Sequence, residues 1–317
     1  MNLFNALKEK AHSHIHVANR AQIIDDLLNL ARGGYIDYAL ALNGTTYLLA
    51  EEEYPPWRAF FNGIRFIAQR YDGQNSSVVL GEYIRCLTSK MFSKVDFADS
   101  SEEKHLDQLS RELILTWACK YNQTKCVDSS KKLFAKWRKN PSDVISPNAR
   151  AAVYCTALRH GSQEDWQFLW ERYLETNFAS EKKIILDALG CSQDPNILEQ
   201  YIQYALTSNY TSDIRKQDVS AALASIYSAG YVGLDVMLNF LMTDYTKVYE
   251  YYGEWDSVGQ LFSKVASHFS TKYHIEKFKE FMAAKKDSVS NIFSTLVSSL
   301  ENAEGHYRWY NSHSTNI

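Results

Sequence analysis

The sequence is poor in chain breakers: 317 residues carry five prolines and 13 glycines. Pro55, Pro147 and Pro195 each stand just ahead of an apolar-periodic run. Proline is tolerated there because the first-turn N–H has no intrahelical partner. No run of about 18 apolar residues occurs, which excludes an ordinary membrane-spanning helix within the chain. The opening MNLFNALKEK is amphipathic and lacks the apolar centre of a secretory leader. The tail YNSHSTNI is polar and is no lipid-anchor signal. Basic tracts are also missing. With 34 Lys and Arg against 37 Asp and Glu, the net charge is -3, which argues against counterion-driven binding to nucleic acid.

Catalytic signatures are missing as well. There is no H-E-x-x-H, which would set two zinc-binding histidines and a general base on one helical face. There is no G-x-S-x-G elbow, no phosphate-cradling P-loop and no G-x-G-x-x-G. None of the five cysteines, Cys86, Cys119, Cys126, Cys155 and Cys191, falls in a C-x-x-C pair, so a structural zinc knuckle is not expected. An odd count fits two bridges and one free thiol; five reduced core cysteines are the alternative.

Aromatic residues and helical periodicity are abundant: 21 Tyr, 15 Phe and 7 Trp. Ile23, Ile24, Leu27, Leu28 and Ala31 form one stripe, ended by Gly33-Gly34, with Asn19 and Gln22 spaced as a capping pair. A helix is expected from Tyr35 to Leu49, and another from Pro55 with Trp57, Phe60, Phe61, Ile64 and Ile67 buried. Ser100 and Glu103 look like a capping box ahead of Leu106, Leu109, Leu113 and Trp117. Similar stripes continue to a last run over 288–310. The pattern predicts roughly fifteen helices of ten to twenty residues and no sheet. Short helices joined by tight turns imply an all-α superhelical stack of helix pairs, HEAT- or armadillo-like, curved and with a concave face. Residues 1–317 read as a single domain.

Several clusters admit both a functional and a plain reading. His12, His14 and His16 could gather a metal; a solvated turn is expected instead, since no Cys, Asp or Glu completes the set. Glu51-Glu52-Glu53 could hold a cation or an amine, but reads as a solvated helix junction. The Trp and Tyr stripes could form a ligand cage and read as core. Arg215 and Lys216 open a helix: Arg215 can pair with Asp218, or the two can face a peptide chamber. Sequons stand at Asn43, Asn75, Asn122 and Asn209.

Five stretches, in order along the chain, resemble one family. These are His16–Asp26 with Ala31–Tyr35; Tyr54-Pro55-Pro56-Trp57; Ile145–Arg150 with Val153–Cys155 and Trp166–Trp170; Ala188–Cys191 with Pro195; and Ile214–Asp218 with Tyr251-Tyr252-Gly253. Together they resemble the C-terminal helical domain of the aminopeptidase N family of zinc aminopeptidases, the gluzincins, with an insect-like flavour. Asp244-Tyr245 departs from the Asn-Trp that relatives often carry.

The resemblance implies a right-handed α-α superhelix, bridges Cys119–Cys126 and Cys155–Cys191, and a free Cys86. It implies that the zinc domain and a preceding β-sandwich lie outside these residues. The chain would then hold no cofactor of its own and be inactive alone. Its partners would be the catalytic domain of the same or a related aminopeptidase, together with peptide substrates, and its setting the cell surface or exterior. The expected role is to enclose the active-site chamber and position peptide. The alternative is a stand-alone peptide- or protein-binding scaffold derived from such a domain.

Overall fold

The computed structural model describes residues 7, 14–100, 102–207 and 214–314. Among them are fifteen α-helices and no strand: α1 (Val17–Arg32), α2 (Tyr38–Thr45), α3 (Tyr54–Tyr71), α4 (Ser76–Lys94), α5 (His105–Lys120), α6 (Thr124–Lys139), α7 (Arg150–Arg159), α8 (Gln163–Glu175), α9 (Ala179–Leu189), α10 (Pro195–Ala205), α11 (Val219–Ser228), α12 (Tyr231–Tyr252), α13 (Trp255–Ala266), α14 (Lys272–Lys285) and α15 (Phe293–His313).

From α1 to α11 the odd-numbered helices pack on one another in succession, while α2, α4, α6 and α8 pack mainly on their odd-numbered neighbours and α10 packs on both α11 and α12. That asymmetry is what curvature produces: inner helices touch, and outer ones fan apart. From α12 onwards both alternations make contact, α12 with α14 and α13 with α15, and α15 returns to α3. The stack is thus an all-α superhelix bent until its two ends meet.

Local chemistry sets the element ends. Pro55 and Pro195 sit in the first turns of α3 and α10. Asp194 caps α10, and Ser162 with Asp165 forms a complete capping box on α8. Gly253, at φ 81°, closes α12 in the left-handed conformation that glycine adopts without a Cβ penalty. At the α11–α12 crossing a Cβ on Gly233 would lie 2.0 Å from the Ile226 carbonyl oxygen, so only glycine permits that approach.

Three expectations are corrected. Helix α1 starts at Val17, capped by His16, whose Nδ1 accepts from Ala18 N; Asn19 lies inside the first turn. The earlier start turns Arg20 inward to Glu51, 2.7 Å away. Helix α5 starts at His105, because Glu103 is drawn to Arg111 instead of back to Ser100. The helix expected over 35–49 is the shorter α2 followed by a 3-10 turn, Thr46–Ala50.

The core falls into two clusters that share α5. Ile114 and Trp117 belong to the N-terminal one, Leu115 and Ala118 to the larger C-terminal one. Trp57 and Trp166 are fully buried, each with its indole N–H donated to a backbone carbonyl, of Glu51 and Leu189 respectively. The aromatic stripes are core, as their spacing required.

Candidate functional site

The inner helices run so that several C-terminal ends converge. Arg159, last residue of α7, donates from Nη1 to the carbonyl of Lys120, last residue of α5 (3.3 Å), and from Nη2 to that of Ala229, just past α11 (3.4 Å). The turn after α3 joins the turn after α13: Gln69 Nε2 donates to the Ser267 carbonyl at 3.2 Å, Gln74 Nε2 to that of Ser270 at 2.5 Å, and Ser270 Oγ to that of Asp72 at 2.5 Å. Helix C-termini carry unpaired carbonyls and a negative partial charge. Arg159 satisfies two of those carbonyls, so a cation at this point has a structural reason.

The same hub holds Asp72, Lys120, Tyr121 and His268. Lys120 is open to solvent yet crowded by protein, as a side chain in a concavity is. Burial, reinforced by the Arg159 charge, brings its ammonium down to about 8. Burial also pushes the Asp72 carboxyl above its usual range, opposed by Lys120 and Arg159. His268 is held below the ordinary histidine value by the same loss of water. Gly73 fixes the turn: its φ is 71°, and a Cβ there would lie 2.3 Å from the Tyr231 ring.

Both disulfides form as the resemblance implied. Cys119–Cys126 ties the end of α5 to α6, and Cys155–Cys191 ties α7 to the end of α9. Each therefore braces an inner helix close to the hub. Cys86 is free and exposed.

Other candidates lie elsewhere. Arg215 is exposed and pairs with Asp218 at 2.7 Å, and Lys216 is exposed beside it. Asn43, Asn75 and Asn122 are exposed, whereas Asn209 lies outside the described residues. His14 and His16 are exposed, and His12 lies outside the described residues.

Glu51 is not solvated as expected. It is buried, and it accepts from Arg20 Nε and Nη2 and from the backbone N–H groups of Glu52 and Glu53. These bonds outweigh burial and leave its carboxyl below the usual range. Glu52 remains at the surface, paired with Lys90 and Lys94. A depression beside Trp137 is lined by ion pairs, Arg150–Glu181 and Arg172–Glu175. Among the described residues no group of three or more His, Cys, Asp or Glu is placed to hold a metal ion. The residues here do not fit a zinc site.

Two observations bear on kinship: a closed helical superhelix, and two bridges where the resemblance placed them. A family model described as ERAP1-like C-terminal domain matches residues 2–305. The chain belongs to that family. It is 32% identical over 304 residues to Aminopeptidase N of Canis lupus familiaris, covering 94% of this chain and 31% of that protein. Insect relatives include Aminopeptidase N of Plutella xylostella, 29% identical over 283 residues (89% of this chain, 29% of the relative), and Membrane alanyl aminopeptidase of Manduca sexta, 32% identical over 229 residues (72% and 23%). The chain is thus a C-terminal domain of the aminopeptidase N type, and it spans about a third of the length of the dog protein.

The hub had no sequence signature. Lys120, Arg159 and Asp72 are single residues in otherwise ordinary helix ends. Each follows an apolar stripe, and a charged residue at the end of an inner helix is the one local signal that could have marked them.

Proposed function

We propose that this domain is a non-catalytic part of a zinc-dependent aminopeptidase that removes N-terminal residues from peptides. It encloses the active-site chamber and positions the peptide on its concave floor. The supporting observation is the hub itself: ends of successive inner helices meet around solvent-open charged side chains, inside a superhelix whose termini are joined. Such a floor offers hydrogen-bonding and charged groups, and among the described residues no metal donor set, so in this reading it binds and orients peptide. The zinc, whose water would attack the peptide bond, belongs in this reading to the catalytic domain, the principal partner.

Arg215 and Lys216 are further candidates for contact with peptide. The two disulfides favour an oxidising setting, outside the cell or at its surface. In that setting Asn43, Asn75 and Asn122 are open to glycosylation, and residues 1–317 act as one unit.

The test is hydrolysis of an aminoacyl-anilide by the purified chain. No turnover is expected. Stoichiometric turnover abolished by a chelator would overturn the proposal.

A further inference from the structure

One surface cavity has no part in the peptide-positioning role. It measures about 410 Å³, inside the ~300–1,000 Å³ range of small-ligand sites, and opens between the end of α4 and the start of α6. Ser89, Phe92 and Ser93 form one wall; Gln123, Thr124 and Lys125 form the other. Phe92 is half-buried and packs against both core clusters, so the fold leaves part of an aromatic ring open at the cavity.

The second wall continues the sequon Asn122-Gln123-Thr124. Asn122 is exposed and stands at φ 59°, just past the end of α5. Asparagine tolerates that left-handed conformation, and closing α5 explains it. Capping does not explain Thr124. This exposed residue is the first of α6, one place past the cap, and its hydroxyl makes no hydrogen bond among the described residues. The side chains of Asn122, Gln123 and Lys125 are equally without a hydrogen bond or ion pair among the described residues. The loop that carries the sequon is nevertheless held in place. Cys119–Cys126 closes it, and Arg85 Nη1 of α4 donates to the Tyr121 carbonyl at 3.0 Å. These two ties fix Asn122 beside the Phe92 wall.

We infer that this cavity seats the first sugars of a glycan carried by Asn122. A pyranose has a C–H face that packs on an aromatic ring and a rim of hydroxyls that exchange hydrogen bonds with amides and hydroxyls. Phe92 supplies the ring and Gln123 the amide. Ser89 and Ser93 donate to the carbonyls of Cys86 and Lys90 at 2.8 and 2.6 Å, which leaves their oxygens free to accept. In the transfer, Asn122 Nδ2 bonds to the anomeric carbon of an oligosaccharide carried on a lipid diphosphate. The anomeric C–O bond breaks, the lipid diphosphate leaves with the electron pair, and one amide proton is released. The inference rests on the extracellular setting proposed above and on nothing in the peptide role.

The test is secretion of the 317-residue chain from a eukaryotic cell, with mass spectrometry of its glycopeptides. Asn122 should carry a glycan. An amidase that cleaves the sugar–asparagine bond should release that glycan from the folded protein several-fold faster in Ser93→Leu, which fills the cavity, than in the wild type. Release from Asn75 should be the same in both. Ser93 is exposed, so the leucine variant should keep the wild-type circular dichroism and melting curve, separating loss of the seat from loss of fold. Phe92→Ala should act in the same direction, read beside its own melting curve. Sugar at Asn75 with none at Asn122 would overturn the inference and leave the extracellular setting intact. Sugar at no sequon would overturn both. Equal release from Asn122 in the wild type and Ser93→Leu would mean a glycan carried but not seated, and would overturn the inference too. None of these outcomes bears on the hydrolysis test.

Discussion

Tyr310 on the last helix and Ser76 at the start of α4 share a hydrogen bond of 2.9 Å between their hydroxyls, across 234 residues of chain. Around it Trp309 meets Tyr38 and Phe66 edge-on, with ring centroids 5.4 and 4.9 Å apart, and Tyr310 meets Tyr71. This aromatic seam, with the Gln69–Ser267 bond, holds the superhelix closed.

Trp309→Ala should therefore loosen the closure. Removing a large, partly buried aromatic costs about 3 kcal/mol, and urea unfolding should show that loss. Hydrogen exchange should rise at the turn after α3 as well as along α15, because the two are held by one seam.

The bridges should contribute unequally. Cys155–Cys191 spans 36 residues and Cys119–Cys126 spans 7. Loop-closure entropy gives about 4 kcal/mol for the longer and about 2 kcal/mol for the shorter. Paired Cys→Ala variants should fall in that order in thermal melts. Equal losses would mean that native-state contacts, not chain entropy, set the values.

Glu51 and Arg20 form a buried pair, so removing one partner leaves a charge without compensation. Glu51→Gln should cost about 3–5 kcal/mol. A double change, Arg20→Met with Glu51→Leu, should recover most of it. Measured stabilities of the two single variants and the double variant decide the point.

How much was legible follows from range. The stripes on α1, α3, α8 and α10 were readable because each is set by residues three and four apart. The bridges were readable through the family resemblance. The seam was not: nothing near Ser76 or Gln69 announces partners about two hundred residues away. The misplaced starts of α1 and α5 have the same origin. Asn19 and Ser100 are sound local caps, but Arg20 and Arg111 have distant or loop carboxylates to reach, and those contacts reset the helix ends. The hub was hidden because its charges come from helices that meet only after the superhelix bends.

Acid should destabilise the domain through His274. The ring is fully buried, stacked on Phe269, with Nδ1 bonded to Thr271 Oγ1, and burial holds its pKa at about 4, against the smaller pull of Asp235. A histidine held low when folded is neutral there and protonates more readily when unfolded. Its contribution is complete above the unfolded value near pH 6.5 and is lost as pH falls towards 4. That amounts to about 3 kcal/mol at most. His306, also held to about 4, acts in the same direction. Urea midpoints should fall between pH 7 and pH 4.5, and the fall should shrink in His274→Gln.

The claim that the concave floor receives the peptide is tested most directly by hydrogen exchange of the 317-residue chain with and without a saturating peptide. Protection should appear at the converging ends of the inner helices: Lys120–Tyr121, Arg159–His160, Ala229–Gly230 and 267–270. Protection confined to the outer helices α4, α6 and α8, or no change at the hub, would contradict it.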